Sequence, residues 1–287
     1  MELILFFLLG GCISVLSGFF GVGGGFILTP ILMLIGFSPL EAITTSLLFT
    51  IGTSLSGIIA HIRMKNILWK EGLVLGLSGM AATQIARPFV LFLEKNGWDE
   101  LAIPIFYILL LSYFAVTMLK QGKRMHANEQ ASENSPSIFK MILIGLSAGL
   151  ISTTLGVGGG FIIVPLSIAF LGIMPRKAVG TSLFAVLLIV SVGFLSYIST
   201  VTIDFRIGLL LVFGGLIGSQ FGARLINFYE NKEISLLLGG LYIATLTSVA
   251  LKLVGLNYVG LSLLAIFIGV FFIRSIMKIR VKKAAKS

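Results

Sequence analysis

Apolar residues form long stretches along almost the whole chain, and short polar or Gly/Pro breaks separate them. Most stretches are near 20 residues long, the length that an α-helix needs to cross the hydrocarbon core of a bilayer. This pattern predicts an all-α polytopic membrane protein with about eight to ten membrane segments. The predicted segments are 3–20, 26–36, 42–60, 72–93, 101–119, 141–155, 161–173, 178–198, 207–228, 234–251 and 257–276.

One glycine-rich motif occurs twice, 135 positions apart. Ser17–Pro30 reads S-G-F-F-G-V-G-G-G-F-I-L-T-P, and Ser152–Pro165 reads S-T-T-L-G-V-G-G-G-F-I-I-V-P, with nine of fourteen positions identical. Each copy interrupts an apolar stretch, and the piece after the first copy is too short to cross a bilayer alone. We expect a glycine-broken helix or hairpin at the start of each half. Such paired breaks in two halves are the sequence signature of a transporter's binding site.

The correspondence continues beyond the glycines, after a one-residue insertion. It predicts an N-terminal repeat at 1–119, a cytoplasmic linker at 120–140, and a C-terminal repeat at 141–287 that adds one extra helix and a basic tail. The aligned pairs are Pro39 and Pro175, Ala42 and Ala178, Thr45 and Thr181, Ser46 and Ser182, Gly72 and Gly208, Gly79 and Gly215, and Gln84 and Gln220.

Charge placement predicts the orientation. If the C-terminus is cytoplasmic and each broken element starts and ends on one side, the inward-facing loops and tail hold 17 of the 21 Lys and Arg residues. Positive charge favours the cytoplasmic side. The first broken element then enters from outside and the second from inside, so the two repeats are inverted, as in many alternating-access carriers.

Composition agrees with a multi-pass protein of the cell membrane. The chain is 57% hydrophobic and 11% charged, against roughly 25% charged residues in soluble domains. The net charge of +10 does not indicate nucleic-acid binding, because six Lys and Arg residues lie between Arg274 and Lys286, beyond the last apolar stretch. A basic tail in that position favours anionic lipid headgroups.

The glycines suit an anion site. A helix that begins inside the membrane presents unpaired N–H groups and the positive end of its dipole, and glycine lets a ligand approach the backbone. The alternative is that the glycines only allow tight helix crossing. We interpret the duplicated run as a site for a small anion, formed by Gly23, Gly24, Gly25, Phe26, Gly158, Gly159, Gly160 and Phe161.

Polar side chains that follow each broken element complete the predicted site. Hydroxyl groups could donate to a bound oxyanion, or bond back to their own helix. A mid-helix amide is costly to leave unpaired in lipid, so the glutamines are expected to face the interior. The arginines one turn later either attract anions or extend to the headgroups. The residues are Thr45, Ser46, Thr181, Ser182, Gln84, Gln220, Arg87 and Arg224.

Other chemistries have weak support. The glycine runs lack the third glycine of a dinucleotide motif and the lysine of a phosphate-binding loop. No nucleophile and base pair is visible, so we expect no enzyme, no cofactor and no metal site. No buried carboxylate indicates a proton relay, so the coupling ion, H⁺ or Na⁺, has no residue assigned to it.

Both halves resemble the TauE/SafE family, the sulfite exporter type of permease. The resemblance is carried by S-x-x-x-G-V-G-G-G-F-x-x-x-P and P-x-x-A-x-x-T-S in duplicate, and by G-G-L-I-G-S-Q-F-G-A-R-L from Gly214 to Leu225. It implies transport of small sulfur-containing anions such as sulfite, sulfoacetate or other organosulfonates. The first half departs from the late motif, since 79–88 lacks two of its glycines.

The leading hypothesis is therefore a secondary transporter that binds a small anion at two opposed helix N-termini and works by alternating access. The alternatives are an anion channel and a permease for another small organic acid. A membrane enzyme or assembly subunit that does not transport is the weakest interpretation, because no catalytic set is visible.

Overall fold

The computed structural model describes residues 2–124 and 137–284, and within them the chain forms helices without any strand. A 3-10 turn at Ile226–Phe228 follows α9. The helices are α1 (Glu2–Phe20), α2 (Gly25–Leu34), α3 (Pro39–Arg63), α4 (Trp69–Lys95), α5 (Asp99–Arg124), α6 (Ile138–Leu155), α7 (Gly160–Leu171), α8 (Pro175–Tyr197), α9 (Phe205–Leu225), α10 (Asn231–Leu253) and α11 (Asn257–Ala284).

Nine helices in the described ranges are long and apolar enough to cross a membrane, whereas α2 and α7 are shorter. The prediction of an all-α polytopic membrane protein with eight to ten segments is confirmed. The predicted linker 120–140 is shorter in the structure, because α5 continues to Arg124 and α6 begins at Ile138. The remainder of that linker, 125–136, lies outside the described residues.

The start of α3 shows how local sequence sets a helix boundary. Pro39 occupies the first turn, where its missing N–H costs nothing. Ser38 caps the helix by accepting from the N–H of Glu41, and the Glu41 carboxylate accepts from the N–H of Ser38. This reciprocal capping box ends the connection after α2. In the second half, Pro175 likewise begins α8.

Helices of the first half pack mainly against helices of the second half. The most extensive contact joins α1 to α9, and the corresponding helices α6 and α4 also pack along each other. In the same way, α3 packs on α9 and α8 packs on α4. Small residues bring the backbones together: a Cβ on Gly149 would overlap the backbone of Gly79, and one on Gly214 would overlap that of Phe7. Close backbone approach of this kind is typical of membrane helix pairs.

The two central helices, α3 and α8, run in opposite directions. Leu47 near the start of α3 lies beside Gly193 near the end of α8, and Leu183 lies beside Gly57 near the end of α3. The positions Pro39 and Pro175 therefore begin helices at opposite ends of the molecule. The glycine breaks lie between these two helices.

The extra helix α11 packs against α10 and also contacts α2. Arg274 lies 3.2 Å from the carboxylate of Glu233 at the start of α10, and Lys278 contacts the same carboxylate. The hydroxyl groups of Tyr229 and Ser275 are hydrogen-bonded at 2.9 Å. These contacts fix the polar end of α11 to the second half.

Candidate functional site: the paired glycine loops

Both glycine runs break a helix in the interior of the protein. The first loop, 21–24, joins α1 to α2, the second loop, 156–159, joins α6 to α7, and every residue of both loops is buried. Gly23 and Gly158 have φ angles of +77° and +83°. Residues with a side chain rarely adopt this left-handed conformation, so glycine is needed there.

The two loops contact each other through their backbones. A Cβ built on Gly23 would lie 3.6 Å from the Cα of Gly158, and one built on Gly158 would lie 3.6 Å from the Cα of Gly23. A Cβ on Gly160 would overlap the carbonyl oxygen of Gly21. The starts of α2 and α7 thus meet at one point, and glycine is the residue that permits this approach.

Thr50 of α3 and Val186 of α8 lie on either side of this contact. A Cβ on Gly23 would lie 2.9 Å from Thr50 Cγ2 and 3.3 Å from Val186 Cγ1, and Gly158 has almost the same neighbours at 2.8 and 3.4 Å. Thr50 and Val186 are separated by 136 positions, the same offset as Pro39 and Pro175. Thr50 and Val186 therefore occupy corresponding positions on the two sides of the loop contact, and we call these two side chains its walls.

Only one of these walls can form a hydrogen bond. The N–H of Gly25, the first residue of α2, donates to Thr50 Oγ1 at 2.8 Å. Val186 occupies the corresponding position beside α7 and has no acceptor atom. The hydroxyl of Thr50 thus satisfies one of the N–H groups that a helix start leaves unpaired. No side chain of the described residues caps the start of α7 in this way.

The loop carbonyl groups are also held differently. Ser182 Oγ donates to the carbonyl oxygen of Gly21 at 2.6 Å. The corresponding carbonyl of Gly156 accepts from Thr29 Oγ1 at 3.1 Å. Ser46, which corresponds to Ser182, is fully buried and its hydroxyl has no hydrogen-bond partner. A buried hydroxyl without a partner is uncommon in proteins.

Other buried hydroxyl groups near the loops are also unpaired. Ser17 and Ser152 are the first residues of the two motif copies, and both are fully buried without a hydrogen-bond partner. A Cβ on Gly159 would lie 3.3 Å from the Cβ of Ser152. Buried polar groups are usually paired in proteins, so an unpaired buried hydroxyl one helical turn before each loop is a notable feature of this region.

The two phenylalanines of the motif pack against each other behind the loops. The rings of Phe26 and Phe161 are stacked with centroids 5.5 Å apart and planes at 19°. Tyr242 of α10 packs edge-on against Phe26, and its hydroxyl donates to the carbonyl oxygen of Phe161 at 2.8 Å. Tyr107 of α5 bonds similarly to the carbonyl oxygen of Leu155 at 2.9 Å. These contacts fix both helix starts.

The predicted threonines do not bond to the loops. Thr45 is buried, and no hydrogen bond joins it to the glycine loops among the described residues. Thr181 Oγ1 accepts from the N–H of Leu68, 2.9 Å away, and so holds the connection between α3 and α4. Of the four predicted hydroxyl side chains, Ser182 contacts a loop carbonyl directly.

The glutamines and arginines lie outside the loop contact. Gln84 is exposed, and its amide donates only to Thr83, at 3.4 Å. Gln220 is half-buried, Arg224 is exposed, and Arg87 is half-buried with an unpaired Nε atom. Gln84 does not face the packed interior as expected, because the row Gly72, Gly76, Gly79 and Thr83 forms the packed face of α4 and Gln84 lies to one side of it.

The structure adds residues that sequence reasoning missed. Thr50 bonds a helix start, and Ser219 Oγ of α9 donates to the carbonyl oxygen of Thr53 at 2.7 Å. Thr83 corresponds to Ser219, so the buried hydroxyl stands one position before each predicted glutamine. The sequence signal that could have identified Thr83 and Ser219 is that they occupy corresponding positions in the two repeats. Among the described residues, no group of His, Cys, Asp and Glu could hold a metal ion.

These features define a polytopic membrane protein whose two broken helices meet at a buried centre, the architecture of a transporter. The sequence model of the family Sulfite exporter TauE/SafE matches residues 6–251. The chain belongs to this family and is a membrane transporter.

Related proteins agree with this assignment. A probable membrane transporter protein of Methanocaldococcus jannaschii is 25% identical over 83% of this chain and 91% of its own length. The probable membrane transporter protein YunE of Bacillus subtilis is 26% identical over 83% of this chain and 93% of its own length. YdhB of Bacillus subtilis, also named a probable membrane transporter protein, is 27% identical over 79% and 90%. No solved structure matches the chain.

Proposed function

We propose that the protein is a secondary transporter of small sulfur-containing anions and binds the anion where α2 and α7 begin. The observation that carries this proposal is the contact between the two helix starts, with Gly23 against Gly158 in the buried centre. The substrate class comes from the family, whose name refers to sulfite export. Sulfite, sulfoacetate and related organosulfonates are the leading candidates, and another small organic acid is the alternative.

Backbone N–H groups are the anion donors in this account. Both helix starts direct the positive end of a helix dipole at the same point, and this favours a negative charge there. The buried unpaired hydroxyl groups of Ser17 and Ser152, each one helical turn before a loop, add donors close to the loops, and we include Ser46 because it corresponds to Ser182. Because the surroundings are apolar, each of these interactions is stronger than it would be in water.

Anion binding requires the loops to separate. In this structure the loops are in backbone contact, and Thr50 occupies the N–H of Gly25. This structure is therefore the closed state of the proposed site. An anion competes with the Thr50 hydroxyl at α2, whereas at α7 the matching position is Val186 and offers no competitor.

The proposed transport cycle is alternating access by two inverted repeats, 1–119 and 141–287, with the C-terminus in the cytoplasm. The opposite directions of α3 and α8, and the exchange of packing partners between the halves, support this part of the proposal. Rocking of one half against the other would open the loop contact first to one side and then to the other.

Reconstitution into liposomes tests the proposed function. Liposomes loaded with unlabelled sulfite or sulfoacetate should take up labelled anion by counterflow, with saturable kinetics. Flux that follows voltage alone, without saturation or counterflow, would instead identify an anion channel. A thermal-shift screen of the purified protein with sulfite, sulfate, thiosulfate, sulfoacetate and taurine should rank the sulfur anions that carry net charge above taurine.

A further inference from the structure

Two matching hydrogen bonds lie at opposite ends of the central helices, outside the glycine loops. His61 Nε2, near the end of α3, lies 3.2 Å from the carbonyl oxygen of Gly18 in α1. The hydroxyl of Tyr197, at the end of α8, donates to the carbonyl oxygen of Thr153 in α6 at 3.1 Å. The offset that relates Pro39 to Pro175 also relates His61 to Tyr197. Each bond ties a central helix to the helix that leads into a glycine loop.

The His61 bond fixes the tautomer of the imidazole. The carbonyl oxygen of Gly18 can only accept, so Nε2 carries the hydrogen and Nδ1 of the neutral ring has a free lone pair. His61 is fully buried, and none of the described residues forms a hydrogen bond with its Nδ1. Nδ1 lies beside α8, since a Cβ built on Gly180 would be 3.1 Å from it. Nδ1 is therefore a buried basic nitrogen that, in the neutral ring, binds neither a proton nor a hydrogen-bond donor from the described residues.

His61 forms no ion pair among the described residues. Backbone groups lie against the ring: the carbonyl of Gly18 from α1, Gly180 from α8, and Asn66 from the connection after α3, whose carbonyl lies beside Gly180. The titratable side chains that these elements, α9 and the start of α4 carry near this end are at least partly exposed. The cations are Arg63, Lys65, Lys70, Arg176, Lys177 and Arg224, and the carboxylate is Glu71, which precedes Gly72 at the contact with Thr181 of α8.

A buried imidazolium without a counter-charge is unfavourable, so protonation of His61 disfavours the closed state. An anion at the glycine loops would supply the missing negative charge. Gly18 precedes Gly21 by less than one helical turn, and Ser182, two residues after Gly180, bonds to the Gly21 carbonyl. The histidine is thus adjacent to the loop, and a proton and an anion would stabilise each other.

We propose that Nδ1 of His61 is the proton-binding position that couples anion movement to H⁺. This inference rests on the proposed transport function. A proton from the aqueous phase adds to the free lone pair of Nδ1, and the imidazolium and the anion are then bound together. The matching residue Tyr197 carries a phenol hydroxyl, which has no basic nitrogen to bind a proton, so this inference assigns the proton to the His61 end alone.

Two liposome assays on the full chain separate coupling from transport, with labelled sulfoacetate as the probe. Counterflow measures anion exchange, and accumulation driven by an imposed pH gradient measures coupling. His61→Gln keeps an amide donor for the Gly18 carbonyl and cannot be protonated. We expect the ratio of pH-driven accumulation to counterflow to fall at least about tenfold, within the range of coupling between linked sites. Tyr197→Phe, the matched control, should keep the wild-type ratio of accumulation to counterflow.

Each result has a defined meaning. If His61→Gln accumulates sulfoacetate as the wild type does, or if the wild type shows counterflow without any response to the pH gradient, the proton site is wrong and the transporter stands. If the wild type shows no counterflow of sulfoacetate or sulfite, the proposed function fails and this inference fails with it.

A second measurement does not depend on the folding of the His61 variant. The chain has two histidines, His61 and His126, so ¹⁵N-histidine labelling of His126→Gln reports His61 alone. Nδ1 should give the signal of an unprotonated nitrogen without anion and of a protonated nitrogen with saturating sulfoacetate. An unchanged signal at saturation would overturn the proposal.

Discussion

The two glycine loops share the run Gly-Val-Gly-Gly-Gly-Phe-Ile, yet their surroundings differ. At the first loop, Thr50 accepts from the N–H of Gly25, and the residue before the helix, Gly24, has a right-handed φ of −64°. At the second loop, Val186 takes the place of Thr50, and Gly159 has a left-handed φ of +75°. The same sequence therefore forms two different helix starts.

Besides the backbone difference between Gly24 and Gly159, the two loops differ in the side chains that α3 and α8 place beside them. A threonine hydroxyl and a valine methyl have nearly the same shape, so both walls pack equally well against Gly23 and Gly158. They differ in hydrogen bonding alone. In the proposed site an anion displaces a hydroxyl at α2 but not at α7, so we expect α7 to be the better anion-binding end once the loops separate.

The largest effect is expected when the loop contact itself is broken. Gly160→Ala would place a Cβ on the carbonyl oxygen of Gly21, and Gly25→Ala would place one on that of Gly156. Overpacking of this kind costs about 1–3 kcal/mol. Both variants should show a lower melting temperature and lose anion counterflow.

Gly269→Ala is the control for these variants, because Gly269 lies in α11 and a Cβ there would meet nothing within 4 Å. It should keep wild-type transport and gain up to about 1 kcal/mol of stability from the reduced backbone entropy of alanine. If Gly160→Ala and Gly25→Ala behave like this control, the loops do not form the contact described here.

A smaller effect on stability and anion binding is expected when Thr50 is replaced by valine or Val186 by threonine. Thr50→Val leaves the N–H of Gly25 unpaired, and an unsatisfied buried donor costs about 1–3 kcal/mol. The same change removes a competitor of the anion, so the melting temperature should fall without ligand while the increase caused by sulfite becomes larger. Val186→Thr should have the opposite effect on the sulfite-induced increase, because its hydroxyl competes for the start of α7. Thermal unfolding with and without sulfite measures both effects.

Equal sulfite-induced increases in the wild type and both variants would contradict this assignment. The double variant, with the two walls exchanged, sharpens the comparison because it moves the hydroxyl from one loop to the other. It should return the sulfite response toward the wild-type value if the two helix starts are equivalent sites.

Much of the architecture follows from the sequence. Apolar stretches of membrane length predict the long helices, and the interrupting glycines predict the breaks before Gly25 and Gly160. The duplicated motif also predicts that both breaks belong to one site, and the structure brings Gly23 and Gly158 into contact. These features depend on local properties of the chain, namely apolar length and the absence of a Cβ.

The side chains around the loops were harder to predict, since they depend on the rotation of each helix. A glutamine in an apolar stretch is expected to face inward, but in α4 the glycines Gly72, Gly76 and Gly79 pack against other helices and leave Gln84 exposed. Thr50 was missed for a related reason. A threonine in a membrane helix usually bonds to its own backbone, and only the tertiary structure places its hydroxyl at Gly25.

The most direct test of the central claim is an anion titration followed at the backbone amides of the loops. Protein labelled with ¹⁵N-glycine carries a reporter at each of its 34 glycines. The amide signals of Gly25 and Gly160 should shift as sulfite or sulfoacetate is added, and half of the shift should occur at the concentration that half-saturates transport. If these two signals stay constant while transport saturates, and only glycines such as Gly97 and Gly269 respond, the anion does not bind at the paired helix starts.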